Sequence, residues 1–115
     1  MKNHMMNLKP SPFKMIREGQ KTIELRLYDE KRKMISVGDV ITFTSTADEN
    51  DKLCVKVNDL FIFHSFEELY KNLPLVECGY TKENIDTASP RDMEKYYSKD
   101  LQQQYGVVGI KISLM

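Results

Sequence analysis

The chain has 115 residues, enough for one domain with a real core and too few for two. Apolar residues make up 41% and charged residues 30%, the balance of an ordinary soluble protein, and no apolar run approaches the ~20 residues of a membrane helix. Lys plus Arg equal Asp plus Glu at 17 each, which argues against a non-specific nucleic-acid coat.

The N-terminus has no basic region followed by an apolar stretch, so no secretory signal is visible and the cytoplasm is the expected location. Cys54 and Cys78 are the only cysteines, and they are expected to stay reduced. With no CxxC, and with His4 and His64 far apart, neither a metal nor a cofactor is expected.

The chain opens on a short apolar run, 4–8, read as a first strand. Ser11 and Pro12 mark a helix start, with Ser at the N-cap and Pro at the first helical position. Phe13 and Ile16 face inward, with Met15 beside them. Gly19 ends the helix, being the residue type that accepts a left-handed cap. A second strand runs over 22–28. The stretch 29–33 is a turn with a basic cluster, Lys31, Arg32 and Lys33, read as a solvated loop, with phosphate contact as the sharper alternative. Val37, Gly38 and Asp39 lead into a third strand, 40–44, and the polar residues 47–52 read as a hairpin loop. The next strand, 53–63, alternates and then becomes wholly apolar, with a bend or bulge expected near Asn58 and Asp59.

Ser65 and Glu68 fit a capping box that opens a helix to about residue 73. This helix turns Phe66, Leu69 and Tyr70 inward, and Pro74 stops it. Cys78, Gly79 and Tyr80 form a turn. Ser89 and Pro90 repeat the cap-and-proline signal and predict a helix to Tyr97. Ser98 caps further helix up to 104, and Gly106 breaks it before an apolar closing strand, 107–114. The order β-α-β-β-β-α-α-β with short connections favours antiparallel or mixed pairing. The first and last strands, both apolar, are expected to pair and close a small barrel.

Chemistry concentrates in 19–26, Gly-Gln-Lys-Thr-Ile-Glu-Leu-Arg. From Thr22 the residues alternate, so Thr22, Glu24, Arg26 and Tyr28 point one way and Ile23, Leu25 and Leu27 the other. The apolar set reads as core. The polar set, with Lys21 at the strand's mouth, is either a solvated face with one ion pair of little worth or the wall of a polar pocket on a rigid element. Residues 1–40 hold nine Lys/Arg against five Asp/Glu, and 41–115 hold eight against twelve. The basic excess falls on the half with this stretch, which is compatible with a patch for a phosphate-bearing ligand.

No Walker pattern, GxGxxG or serine elbow occurs. Two chemistries remain. One is amide or ester hydrolysis, with Lys21 holding an oxyanion or acting as base and Glu24 activating water. The other is binding alone, with Lys21 and Arg26 on phosphate or carboxylate and aromatic residues stacking a base. Tyr96 and Tyr97 are adjacent in a predicted helix and so cannot both face one site; Tyr97 is taken as the ligand-binding one. His64 reads as a packed or surface histidine.

The pattern Gly19-x-Lys21-x-x-Glu24-x-Arg26 resembles the signature of the ASCH domain (activating signal cointegrator homology), a branch of the PUA-like superfamily. Leu8-Lys9-x-x-Pro12-Phe13, Val37-Gly38-Asp39, Ser65-Phe66-x-x-Leu69 and Tyr105-Gly106-Val107-Val108-Gly109-Ile110 extend the resemblance along nearly the whole chain, residues 1–115, as one domain. The resemblance implies an α+β, mainly β fold: a small barrel of five to six mixed or antiparallel strands flanked by three to four helices. It places a cleft beside the GxKxxExR strand, with Lys21, Glu24 and Arg26 in it. It implies binding of RNA or a nucleotide-like ligand there. One similar bacterial branch is an N4-acetylcytidine amidohydrolase that uses the motif lysine, a threonine three residues later and a distant glutamate. Lys21 matches that lysine, Glu24 stands at the threonine position, and Glu67, Glu68, Glu77 and Glu94 are candidates for the glutamate. RNA cleavage is a further family activity.

The first expectation is therefore a domain that binds RNA or a modified nucleoside. The second is a metal-independent amidohydrolase with Lys21 and Glu24 as catalytic groups. A protein-interaction module is the third. The oligomeric state stays open.

Overall fold

The computed structural model describes all 115 residues. Five strands, β1 (Asn3–Leu8), β2 (Ile23–Leu27), β3 (Val40–Ser45), β4 (Asp48–Phe63) and β5 (Val107–Leu114), form one sheet in the order β1-β3-β4-β5-β2. β1 runs parallel to β3, and every other pairing is antiparallel. Four helices flank the sheet: α1 (Pro10–Arg17), α2 (Glu30–Lys33), α3 (Phe66–Asn72) and α4 (Lys99–Tyr105). Two 3₁₀ turns, Ile85–Thr87 and Pro90–Met93, lie on the long connection before α4. The sheet curls into a half-barrel, giving the expected α+β, mainly β fold. No helix is long and apolar enough to cross a membrane.

The first and last strands do not pair. β5 lies between β4 and β2, and β1 and β2 are the two edges. Burial explains the placement. β5 sends Val107 into one core cluster and Val108, Ile110 and Ile112 into the other, so both its faces are covered, as suits an interior strand. β1 alternates, with Met6 and Leu8 buried and Met5 half exposed. It is held at the edge partly by Asp39, whose carboxylate takes His4 Nε2 at 2.9 Å and the Lys2 N–H at 3.1 Å.

Several boundaries also move. Lys9, not Ser11, is the N-cap of α1, and it makes no side-chain cap; Pro10, with its φ already helical, starts the helix two residues sooner than Pro12 would. The charged turn after β2 is the one-turn helix α2, capped by Asp29, which accepts from the Arg32 N–H. The hairpin turns at residues 46–47, so 48–52 belong to β4 rather than to a loop. The irregularity expected near Asn58 and Asp59 is present, as a register shift between Val57 and Asp59. The helix predicted through Tyr97 is only the 3₁₀ turn Pro90–Met93. Ser98 takes extended backbone to cap α4, which breaks helical continuity.

The core has two parts. Met6, Leu8, Phe13, Ile16 and Ile35 pack with inward residues of β3, β4 and β5. Ile23, Leu25 and Leu27 pack instead with Phe66, Leu69, Cys78 and Val107. β2 stands between that second cluster and the opening of the half-barrel.

Candidate functional site

Lys21 is aimed by the corner between α1 and β2. Gly19 has φ +82°, and the N–H groups of Gln20 and Lys21 both donate to the Met15 carbonyl, at 3.0 and 3.1 Å. β2 then sets Glu24 and Arg26 on the face away from Ile23, Leu25 and Leu27. Glu24 is only 3% exposed, so β2 is covered on both faces and the solvated-face reading falls. One Glu24 oxygen, Oε1, lies 2.8 Å from Lys21 Nζ. The other, Oε2, accepts from Arg26 Nε at 2.7 Å. Arg26 also donates through Nη2 to the Asn7 carbonyl of β1, at 2.8 Å. Tyr97 also lies near the same guanidinium and, after Glu24, helps hold its pKa above the ordinary value. Burial pushes the Glu24 carboxyl up, but the Lys21 ammonium and the Arg26 guanidinium outweigh it and hold the group below the usual carboxylate range.

The segment between α3 and the first 3₁₀ turn covers Lys21. The Glu77 carbonyl accepts from the N–H groups of Thr22 and Ile23, at 2.8 and 3.0 Å. The Glu77 carboxylate takes the Thr22 hydroxyl at 2.8 Å and an ion pair from Lys111. Gly79, at φ +114°, lies against the Lys21 stem; a Cβ there would sit 3.4 Å from Lys21 Cδ. Cys78 is buried, and desolvation pushes its thiol up to about 11 against the pull of Lys21. Beyond it, Tyr70 and Tyr80 join hydroxyls at 2.7 Å, and Tyr80 donates to Asp92 at 2.6 Å. Burial raises both phenols, Tyr70 to about 12.

Lys21, Glu24 and Arg26, with Cys78, Gly79, Tyr80 and Asp92 of the covering segment, line one cleft of about 520 Å³ at the opening of the half-barrel, between the end of β1 and β2. The ASCH domain profile matches residues 6–115. The chain belongs to the ASCH domain family. Over its full length it is 32% identical to the hypothetical protein PH0355, also over that chain's full length, with a TM-score of 0.81. It is 31% identical to protein PF0455 from Pyrococcus furiosus, covering 98% of this chain and 97% of that one, with a TM-score of 0.76. The ASCH protein of Zymomonas mobilis shares the fold at 13% identity, with a TM-score of 0.67 over 96% of this chain and 66% of that one. No curated protein matches the chain.

All four residues expected at the site of this ASCH domain, Lys21, Glu24, Arg26 and Tyr97, line the cleft. So does Tyr96, against expectation. Residues 94–97 form a turn rather than a helix, so neighbouring side chains need not diverge by the helical angle. The sequence does not single out Tyr70, Tyr80, Cys78 or Asp92: Tyr70 reads as a core residue of α3, and the turns that carry the other three have no period to aim them. The other charged and titratable candidates lie elsewhere. His64, Glu67, Glu68 and Glu94 line a separate, polar concavity of about 870 Å³ beside α4. Glu77 alone of the four glutamates adjoins the motif, and it is committed to Thr22 and Lys111. Arg32 pairs with Asp29 at 2.9 Å and Lys33 with Glu30 at 3.9 Å, and neither lines the cleft. No three metal-ligating side chains converge in the chain.

Proposed function

We propose that the ASCH cleft binds one nucleotide of an RNA, or a modified nucleoside, with Lys21 as the direct contact. One observation carries the reading. Lys21 is nearly buried, faces the cleft and has Glu24 as its single ion-pair partner, which leaves ammonium protons for a ligand. Arg26 is already spent on Glu24 and the Asn7 carbonyl, so it and Glu24 position Lys21 rather than meet the ligand themselves. The trio carries one net positive charge, which favours phosphate or a carbonyl-rich base edge, and the phenols of the wall offer flat surfaces.

Lys21→Met keeps the stem that packs on Gly79 and removes the charge. A charged hydrogen bond contributes about 1.5–3 kcal/mol, so RNA affinity is expected to fall by about 10- to 100-fold, measured by fluorescence anisotropy on protein confirmed folded by circular dichroism. Unchanged affinity would remove Lys21 from the site. The same preparations incubated with N4-acetylcytidine test hydrolysis: acetate release by the wild type, lost in Lys21→Met, would make the cleft catalytic instead.

A further inference from the structure

We propose that Tyr96, flanked by Lys9 and Lys95, is a stacking platform at the rim of the cleft for the base next to the one held inside, so that the preferred ligand is a single strand longer than one nucleotide. This rests on the nucleotide-binding reading above. Tyr96 and Tyr97 have different situations. The ring of Tyr97 is stacked on Phe66, with centroids 5.9 Å apart and planes 21° apart, and the residue is only partly exposed. Tyr97 is thereby held by the fold. Tyr96 is 48% exposed, and its hydroxyl has no hydrogen bond.

The two rings are 6.5 Å apart and inclined at 56°. They cannot clamp one base between them, so each faces a different position along a strand. Two ammonium groups approach the Tyr96 ring: Lys9 Nζ at 5.0 Å from the centroid and Lys95 Nζ at 5.5 Å. They come from separate places, the corner between β1 and α1 and the turn after Pro90–Met93, and both residues line the cleft. An exposed cation on a ring adds little to stability. Lys9, Lys95 and Tyr96 are all exposed, so the two ammonium groups are free to swing from the ring to phosphates while a base takes the ring face, since every base offers a π-face and every phosphate a charge.

The test uses a 5′-fluorescein-labelled hexaribonucleotide of mixed sequence and the four ribonucleoside 5′-monophosphates. Tyr96→Ala is expected to weaken the hexamer by about tenfold or more and to leave the monophosphates unchanged. Tyr96→Phe, which keeps the ring, is expected to bind both as the wild type does. Lys9→Gln with Lys95→Gln is expected to flatten the salt dependence of hexamer binding by about 0.7 in slope for each phosphate left without its ammonium. Wild-type hexamer affinity in Tyr96→Ala overturns the platform, as does an equal loss for hexamer and monophosphates, which would place Tyr96 inside the site. A wild-type protein that binds neither probe overturns the nucleotide-binding reading itself.

Discussion

Glu24 and Glu77 each pair with a lysine beside β2, Lys21 and Lys111 respectively, and they do so under different conditions. The side chains of Glu24, Lys21 and Arg26 are 3%, 10% and 13% exposed. Those of Glu77 and Lys111 are 40% and 36% exposed. Water can replace a missing partner at Glu77 but cannot at Glu24. The buried trio therefore depends on mutual compensation, and any ligand that enters competes for charges with little other solvation. The open pair serves as a clip that holds the 74–80 segment over Lys21.

The contrast is broken most strongly by Glu24→Ala. This leaves Lys21 and Arg26 buried without the carboxylate, and the expected loss is about 3–5 kcal/mol by urea denaturation. A much smaller loss would mean that water reaches the cluster. Acid makes the same cut reversibly. The Glu24 carboxyl is held below its ordinary value, so its contribution is complete above the unfolded value of about 4.3 and disappears as pH falls through the lower, folded value. The gap between wild type and Glu24→Gln is therefore expected to be full above about pH 4.3 and to shrink steadily as pH falls below it, in urea titrations across pH; a gap that does not change with pH would remove the ionised carboxylate from the account.

Gly79→Ala tests the cover rather than the charges. A φ of +114° and a 3.4 Å approach to Lys21 predict a loss of about 1–3 kcal/mol and weaker RNA binding as Lys21 is displaced. Full affinity would mean that the cover is irrelevant to the cleft. Lys111→Met is the mildest change. An exposed pair contributes about 0.2–1 kcal/mol, so a small drop in melting temperature is expected. A loss as large as that of Glu24→Ala would erase the distinction between the two carboxylates.

The candidate site was legible where its residues are local. Gly19, Lys21, Glu24 and Arg26 lie within eight residues, and a period of two plus one left-handed glycine is enough to place them. Ser65, whose hydroxyl accepts from the Glu68 N–H at 3.2 Å, marked its helix for the same reason. What stayed hidden is non-local. Nothing in 3–8 says that its neighbour is 40–45 rather than 107–114; that depends on which strand is covered on both faces. The burial of Glu24 was likewise invisible, because it is produced by residues 77–80 and 92–97 folding back from far along the chain. Tyr96 reads as turned away from Tyr97 only if 90–97 is a helix, and Ser98 imposes a break there.

Arg26 has one more consequence. An open sheet has two edges, and unpaired edges invite other chains to add strands. Here β1 and β2 turn toward each other across the cleft, and the Arg26 guanidinium occupies the Asn7 carbonyl on the facing edge. The same side chain that steadies the buried charges thus occupies one acceptor that an incoming strand would need, on an edge that a fully closed barrel would not have.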